Sequence, residues 1–96
     1  MPPIKKIKEV ASSLAKSYGI KNIKLFGSYA NGTQVEQSDI DLLVEFPESA
    51  SYFDIYDFQH NMELLTGKKV DVIAAPIPKK SLLQIKKEVV LYEAIW

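Results

Sequence analysis

The nine residues SDIDLLVEF, at positions 38–46, decide how the rest of the chain is interpreted. Within it, Ile40–Phe46 is apolar apart from Asp41 and Glu45, which predicts a buried strand. Because successive side chains of a strand alternate between its two faces, Asp39 and Asp41 point to one face while Ile40 and Leu42 enter the core. Asp39 alone would be an ordinary turn residue. Asp41 lies inside the apolar run and needs a partner, so the segment predicts a functional site as well as a strand.

The two aspartates of this strand form a candidate cation site. Two carboxylates on one face repel each other unless a cation lies between them, and their hard oxygens suit Mg²⁺. This ion usually takes one or two protein carboxylates together with substrate phosphates. Asp39 and Asp41 are therefore predicted to bind a divalent cation next to a phosphate-bearing ligand.

A Gly-Ser pair lies upstream, where a predicted strand over Ile23–Phe26 ends. Gly27 lets the backbone approach a ligand closely and adopt angles that other residues avoid. N–H groups exposed at such a turn, or at the start of a helix, bind phosphate, and Ser28 adds a hydroxyl donor. A Gly-Ser turn alone is a weak signal, and it gains weight from the aspartates that follow.

A third carboxylate, Asp71, stands between the apolar residues of a predicted strand over Val70–Ala74. By itself it would be an exposed residue on the solvated face of an edge strand. If this strand lies beside the one that carries Asp41, the third carboxylate converges on the same face. Three carboxylates and a phosphate-binding turn match two-metal phosphoryl chemistry, in which paired ions stabilise the attacking and leaving oxygens.

Helices and strands alternate along the chain. Apolar residues spaced by three and four predict an amphipathic helix over Ile4–Tyr18, with Pro3 in its first turn and Gly19 after its end. A strand is predicted over Ile40–Phe46. Together with the elements of the second half, they predict a single domain over residues 1–96. Its fold class is α/β in the broad sense of mixed helices and strands, and α+β in the narrower sense.

The second half contains two further predicted helices. One spans Phe53–Leu65, with apolar positions at Phe53, Tyr56, Met62 and Leu65. The other begins with Ser81 as N-cap and runs to about Val89. The apolar tail Val90–Trp96 is compatible with a closing strand, a helix extension or a contact surface. We expect three tyrosines to pack in the core or at its rim: Tyr29, Tyr52 and Tyr56. We expect His60 to be exposed to solvent or to have a structural role.

Composition narrows the function classes. Acidic and basic residues balance at twelve each, so nucleic-acid backbone is not expected to be the main ligand. All basic residues are lysines and there is no cysteine, which excludes disulfides and thiolate metal sites. Neither a signal core nor an apolar run of membrane-spanning length is present. We expect a cytoplasmic protein that does not associate with membranes.

The motifs together resemble a known family. Gly27-Ser28, ten intervening residues and Asp39-Ile40-Asp41 are similar to the Gly-Ser-x10-Asp-x-Asp signature of polymerase-beta-like nucleotidyltransferases. Asp71, in its Val-Asp-Val-Ile setting, is similar to the third carboxylate of that family. The resemblance covers essentially the whole chain in element order, and it is strongest to the small prokaryotic MNT-domain proteins, many of which pair with HEPN toxins.

This resemblance implies a polymerase-beta-like palm, a small mixed β-sheet with helices packed on one side. Gly27 and Ser28 would hold the triphosphate of an NTP, in this case ATP. Asp39 and Asp41 would bind Mg²⁺ or Mn²⁺, while Asp71 would bind a second metal ion and help to deprotonate the acceptor hydroxyl. The implied function is that of an antitoxin that transfers AMP to a tyrosine of its HEPN partner.

One position departs from the family pattern, and two other functions remain open. Asn31 stands where relatives commonly have arginine. Lys24, Lys68 or Lys69, or an arginine of the partner, would have to supply the missing positive charge.

One alternative function is that of an antitoxin that neutralises its partner by contact alone. The other is a nucleotidyltransferase for a small molecule or an RNA end, although such relatives carry further domains. The sequence leaves open whether the chain is a homo-oligomer.

Overall fold

The computed structural model describes residues 3–32, 39–74 and 89–94. Within these ranges, helices and strands alternate. Their bounds are α1 Ile4–Tyr18, β1 Asn22–Phe26, α2 Ser28–Asn31, β2 Ile40–Glu45, α3 Tyr52–Thr66, β3 Val70–Ala74 and β4 Val89–Glu93.

The four described strands form one mixed sheet in the order β3-β2-β1-β4. Strand β1 is antiparallel to both of its neighbours, β2 and β4, whereas β2 and β3 are parallel. Parallel neighbours cannot be joined by a tight turn and need a crossover connection, and α3 provides it. This topology places the beginnings of β2 and β3 side by side.

Both long helices cover the same face of the sheet. Helix α1 fully buries Ile7, Ala11 and Ala15 of its predicted apolar stripe, and the other residues of the stripe are partly buried against the core. Helix α3 begins with a capping box, in which Ser51 and Asp54 each accept a hydrogen bond from the backbone N–H of the other. Residues of α1, α3 and all four strands share one buried cluster. The predicted mixed sheet with helices on one side is confirmed, and no helix in the described ranges has the length and apolar character to cross a membrane.

The structure resolves one alternative at the C-terminal end. The tail contributes a closing strand, β4, which pairs with β1 and buries Leu91 in the core. The helix predicted from Ser81 lies outside the described residues except at its expected end, where Val89 is instead the first residue of β4.

Helix α3 differs from its prediction in which side chains it buries. Its inner face holds Phe58 and Met62, while Phe53, Tyr52 and Tyr56 are 76%, 80% and 67% exposed. The expectation that these two tyrosines pack in the core or at its rim is wrong. A helix that lies on one face of a sheet buries only the side chains on its inner stripe, and the sequence supplies apolar residues to its outer side as well.

Two tyrosines with contrasting hydroxyl environments provide a test of the packing. Tyr29 is buried as expected, and its hydroxyl finds no hydrogen-bond partner in the described part of the chain. The hydroxyl of Tyr18 donates to Asp57 and accepts from Asn61. We expect Tyr29→Phe to raise the free energy of unfolding by about 1 kcal/mol, because it removes an unpaired buried hydroxyl, and Tyr18→Phe to lower it by a similar amount. Urea unfolding of both variants measures the difference; a destabilised Tyr29→Phe would contradict the packing described here.

Candidate active site

Strand pairing brings the predicted site residues together at one end of the sheet. Asp41 in β2 is opposite Phe26, the last residue of β1, and is also opposite Asp71 in β3. It therefore has the Gly27 turn on one side and the Asp71 carboxylate on the other. Its sequence neighbours Ile40 and Leu42 are fully buried in the core, so Asp41 points to the face that the long helices leave uncovered.

Gly27 makes room for the Asp41 carboxylate. A Cβ atom added to Gly27 would lie 2.3 Å from Oδ2 of Asp41, and the backbone φ of this glycine is +75°. Both the close approach and the positive φ exclude a side chain. Sequence reasoning assigned Gly27 to phosphate binding alone and missed this contact, because it depends on the register between β1 and β2.

The Asp41 carboxyl lies in surroundings that disfavour its charge. Partial burial raises its pKa, and the nearby carboxylates of Asp71 and Asp39 raise it further. A hydrogen bond with Asp71 acts in the same direction, because protonated Asp41 can donate to the neighbouring carboxylate. The pair therefore carries an electrostatic cost whenever both groups are charged.

Asp39 lies at the margin of this pair. Its Oδ2 is 4.0 Å from Nζ of Lys69, in an ion pair whose side chains are 40% and 67% exposed. An exposed pair of this kind contributes little stability. Asp39 is close enough to Asp41 to raise its pKa, so the three carboxylates share one end of the sheet, with Asp41 and Asp71 in contact and Asp39 beside Lys69.

The paired carboxylates fit a divalent cation. In the described ranges, no set of three or more acidic or histidine side chains is arranged around one point as a complete metal shell. Two carboxylates in hydrogen-bonding contact suit Mg²⁺, which usually takes one or two protein carboxylates and completes its shell with water and substrate phosphates. The glycine contact keeps the space beside Oδ2 of Asp41 free of a side chain. Asp41 and Asp71 are thus the residues best placed to hold the ion.

Two lysines lie near the site, one in β1 and one directly before β3. Lys69 immediately precedes β3 and pairs with Asp39. Lys24 in β1 is two residues from Phe26, the partner of Asp41 in register, and so lies on the same sheet face. Both were named from the sequence as replacements for the arginine that Asn31 displaces, and their positions place positive charge on the side where a phosphate would bind.

The cost of the carboxylate pair leads to a prediction about stability. The pKa of Asp41 is higher in the folded chain than in the unfolded chain, so the folded chain holds this proton more tightly. The free energy of unfolding therefore falls as the pH rises from the ordinary aspartate pKa through the raised pKa of folded Asp41. We expect Asp41→Asn to raise the free energy of unfolding at pH 7, without metal, by about 1 kcal/mol.

The extra stability of Asp41→Asn should disappear at about pH 3, where Asp41 of the parent is protonated in both the folded and the unfolded chain. Urea unfolding in the presence of a chelator, at both pH values, measures it. Glu48→Gln is the control, since Glu48 is an exposed carboxylate. A less stable Asp41→Asn at pH 7 would show that the pair is not repulsive.

The fold and the site define a class of protein before any comparison. A mixed sheet that presents paired carboxylates beside a glycine turn, with lysines near them, is suited to phosphoryl or nucleotidyl transfer. The described residues supply no cysteine or second histidine for another kind of nucleophilic chemistry.

Comparison with known proteins identifies the family. The model of the Nucleotidyltransferase domain family matches residues 4–96, and the chain belongs to this family; it is a nucleotidyltransferase. Protein adenylyltransferase MntA of Thermococcus cleftensis is 34% identical over 83 residues, which cover 86% of this chain and 80% of that protein. The resemblance inferred from the motifs is confirmed.

Solved structures share the fold. A chain of a toxin-antitoxin crystal structure with AMP-PNP superimposes with a TM-score of 0.74 at 23% identity, covering 97% of this chain and 75% of that chain. A chain from the structure of a tri-AMPylated Shewanella oneidensis HEPN toxin in complex with MNT antitoxin gives a TM-score of 0.60 at 16% identity, covering 91% and 73%. At sequence identities of 23% and 16%, these superpositions show that the chains share a fold.

Proposed function

We propose that this nucleotidyltransferase transfers AMP from ATP to a tyrosine hydroxyl of a partner HEPN toxin and thereby acts as its antitoxin. The observation that carries the proposal is the contact of the Asp41–Asp71 pair with the Gly27 turn. A carboxylate pair beside a glycine turn suits a metal-bound triphosphate, because Mg²⁺ takes one or two protein carboxylates and completes its shell with water and substrate phosphates.

Each site residue has a proposed part in the reaction. Asp39, Asp41 and Asp71 hold Mg²⁺, or Mn²⁺, which when bound neutralises phosphate charge and lowers the pKa of a coordinated hydroxyl. Gly27 and Ser28 bind the triphosphate through the backbone at the junction of β1 and α2. Asp71 accepts the proton of the acceptor hydroxyl, the new bond forms between that oxygen and the α-phosphorus, and pyrophosphate leaves.

The choice of acceptor rests on the relatives. The Thermococcus cleftensis relative is named a protein adenylyltransferase, and one structural neighbour contains an AMPylated HEPN toxin with an MNT antitoxin.

A second candidate function is neutralisation by binding, without turnover. The observation that favours it is the absence of arginine, which usually clamps phosphate in two-point contacts that lysine cannot make. In that case the site would be a remnant and the partner would be bound but unmodified.

Mass spectrometry separates these functions. The chain is incubated with ATP, Mg²⁺ and a HEPN-domain protein from the same organism, and the intact mass of that protein is measured. We expect it to gain one or more AMP units on tyrosine, and to gain none when Asp41→Asn replaces the parent. A partner that co-purifies with the chain yet stays unmodified would reject transfer and support neutralisation by binding.

A further inference from the structure

Lys69 lies at the same end of the sheet as the three carboxylates, and its backbone continues the pairing of β3 with β2. Its carbonyl oxygen accepts a hydrogen bond from the backbone N–H of Ile40 at 2.9 Å, which extends the parallel ladder one residue before the start of β3. Asp41 is opposite Asp71. Two residues earlier in each segment, the same register sets Asp39 opposite Lys69. Since residues two apart in a strand share a face, Lys69 lies with the carboxylates on the face of the sheet opposite the two long helices.

The side chain of Lys69 contacts Asp39 without being fixed there. Its Nζ is 4.0 Å from Oδ2 of Asp39, and the lysine side chain is 67% exposed. A pair of this kind contributes little to stability, so the ammonium can leave the carboxylate at a small cost in free energy. Lysine carries its charge on a flexible four-carbon stem, and the exposed Nζ is therefore able to reach a second anion nearby.

The charges of the site place Lys69 in competition with a bound cation. Three carboxylates share this end of the sheet, and Lys69 supplies a compensating positive charge at one of them, Asp39. A divalent cation bound by Asp39 and Asp41 would stand next to this ammonium, and like charges a few ångströms apart repel each other. The Asp39 carboxylate therefore has two alternative partners, the ammonium of Lys69 and a divalent cation.

A phosphate chain that begins at the Gly27 turn comes within reach of the displaced ammonium. The turn follows Phe26, the last residue of β1, and lies at the same end of the sheet as Lys69. Two strand spacings, about 10 Å, separate β1 from β3, and a triphosphate and an extended lysine side chain can span this gap together. Lys24 is opposite Leu43 and so lies further from this end. Lys69 is the better placed of the two lysines for phosphates beyond the turn.

From these observations we infer that Lys69 is a phosphate-binding residue that Asp39 holds until this carboxylate binds a divalent cation. Without the cation, the ammonium of Lys69 neutralises Asp39. When Asp39 turns to the cation, Lys69 moves to the phosphates of the nucleotide and supplies there a positive charge, in a chain that has no arginine. The inference rests on the proposed nucleotide site and adds to it this exchange of partners by one lysine.

Two binding measurements on Lys69→Gln test the exchange, because it predicts changes of opposite sign. Electron paramagnetic resonance of free Mn²⁺ gives the affinity of the chain for Mn²⁺ alone, and calorimetry gives its affinity for ATP with Mg²⁺. We expect Lys69→Gln to bind Mn²⁺ about three- to tenfold more tightly, because the competing ammonium is gone. We expect it to bind ATP with Mg²⁺ at least about tenfold more weakly, the loss that follows from removing a hydrogen bond to a charged group.

Two further variants separate this exchange from a general effect of charge or of structure. Lys8→Gln removes the same charge from an exposed position of α1 and should change neither affinity. Lys69→Arg keeps the positive charge and should restore most of the affinity for ATP with Mg²⁺, without the tighter binding of Mn²⁺. Circular dichroism confirms that each variant folds.

Weaker or unchanged binding of Mn²⁺ by Lys69→Gln would overturn the inference, because Lys69 would then not compete for Asp39. A parent that binds ATP with Mg²⁺ while Lys69→Gln binds it equally well would also overturn the inference, and it would leave the proposed function intact. A parent that does not bind ATP with Mg²⁺ would instead remove the proposed nucleotide site, and the inference with it.

Discussion

Asp41→Asn is expected to lower the rate of AMP transfer at least about 1,000-fold, because a metal that stabilises charge in the transition state contributes several kcal/mol. Asp41 lies between the Gly27 turn and Asp71, so no other described carboxylate can take its place. The asparagine keeps the shape of the side chain and removes only its charge. Incorporation of AMP into the HEPN partner measures the rate.

The same substitution is expected to stabilise the fold, which separates a loss of chemistry from a loss of structure. A variant that is more stable and inactive identifies Asp41 as a site residue kept at a cost in stability. Glu48→Gln, at an exposed carboxylate, should retain full activity. Transfer by Asp41→Asn at more than about a tenth of the parent rate would mean that the carboxylate pair is not the metal site.

Gly27→Ala is expected to reduce transfer by about 100-fold or more, since a catalytic group displaced by about 1 Å costs a factor of that size. The added Cβ would lie 2.3 Å from Oδ2 of Asp41, so the carboxylate has to move. The positive φ at this position adds a cost of about 1 kcal/mol to the free energy of folding.

Gly32→Ala is a matched control for this prediction. Gly32 has a φ of +74°, nearly the same as the +75° of Gly27, but a Cβ there meets no atom within 4 Å in the described part of the chain. Both variants should lose similar backbone stability, and only Gly27→Ala should lose activity. Equal activities in the two variants would show that the contact between Gly27 and Asp41 does not position the carboxylate.

The spacing of apolar residues predicted most of the fold, because that spacing shows which face of an element is buried. The apolar stripe of α1 predicts a helix with one face in the core, and the apolar run of β2 predicts a buried strand. Strand β4 was not predictable in the same way. The tail is apolar apart from Glu93, and only its pairing with β1 decides between a strand and the alternatives.

The site was predictable as a set of residues, whereas its geometry was not. Asp41 lies in β2 and Asp39 directly precedes this strand, and their spacing of two predicts a common face from the sequence alone. The contact between Asp41 and Asp71 depends on β2 and β3 being neighbours in register, and the contact with Gly27 depends on the register of β1. These relations join residues far apart in the chain, and local patterns do not contain them.

The outward aromatic residues of α3 show a further limit. Phe53 and Tyr56 are apolar and stand in a helix, so sequence patterns assign them to packing. The buried face is already filled by Phe58 and Met62, and only the position of the helix on the sheet shows that the remaining apolar residues face outward.

Calorimetric titration with ATP is the measurement that tests the proposed site most directly. The parent is titrated with and without Mg²⁺, and Asp41→Asn, Gly27→Ala and Gly32→Ala are titrated with Mg²⁺. We predict that the parent and Gly32→Ala bind ATP only when the metal is present, and that Asp41→Asn and Gly27→Ala do not bind. Equal binding by the parent and Asp41→Asn, or binding by the parent that is indifferent to Mg²⁺, would contradict a nucleotide site built on the Asp41–Asp71 pair.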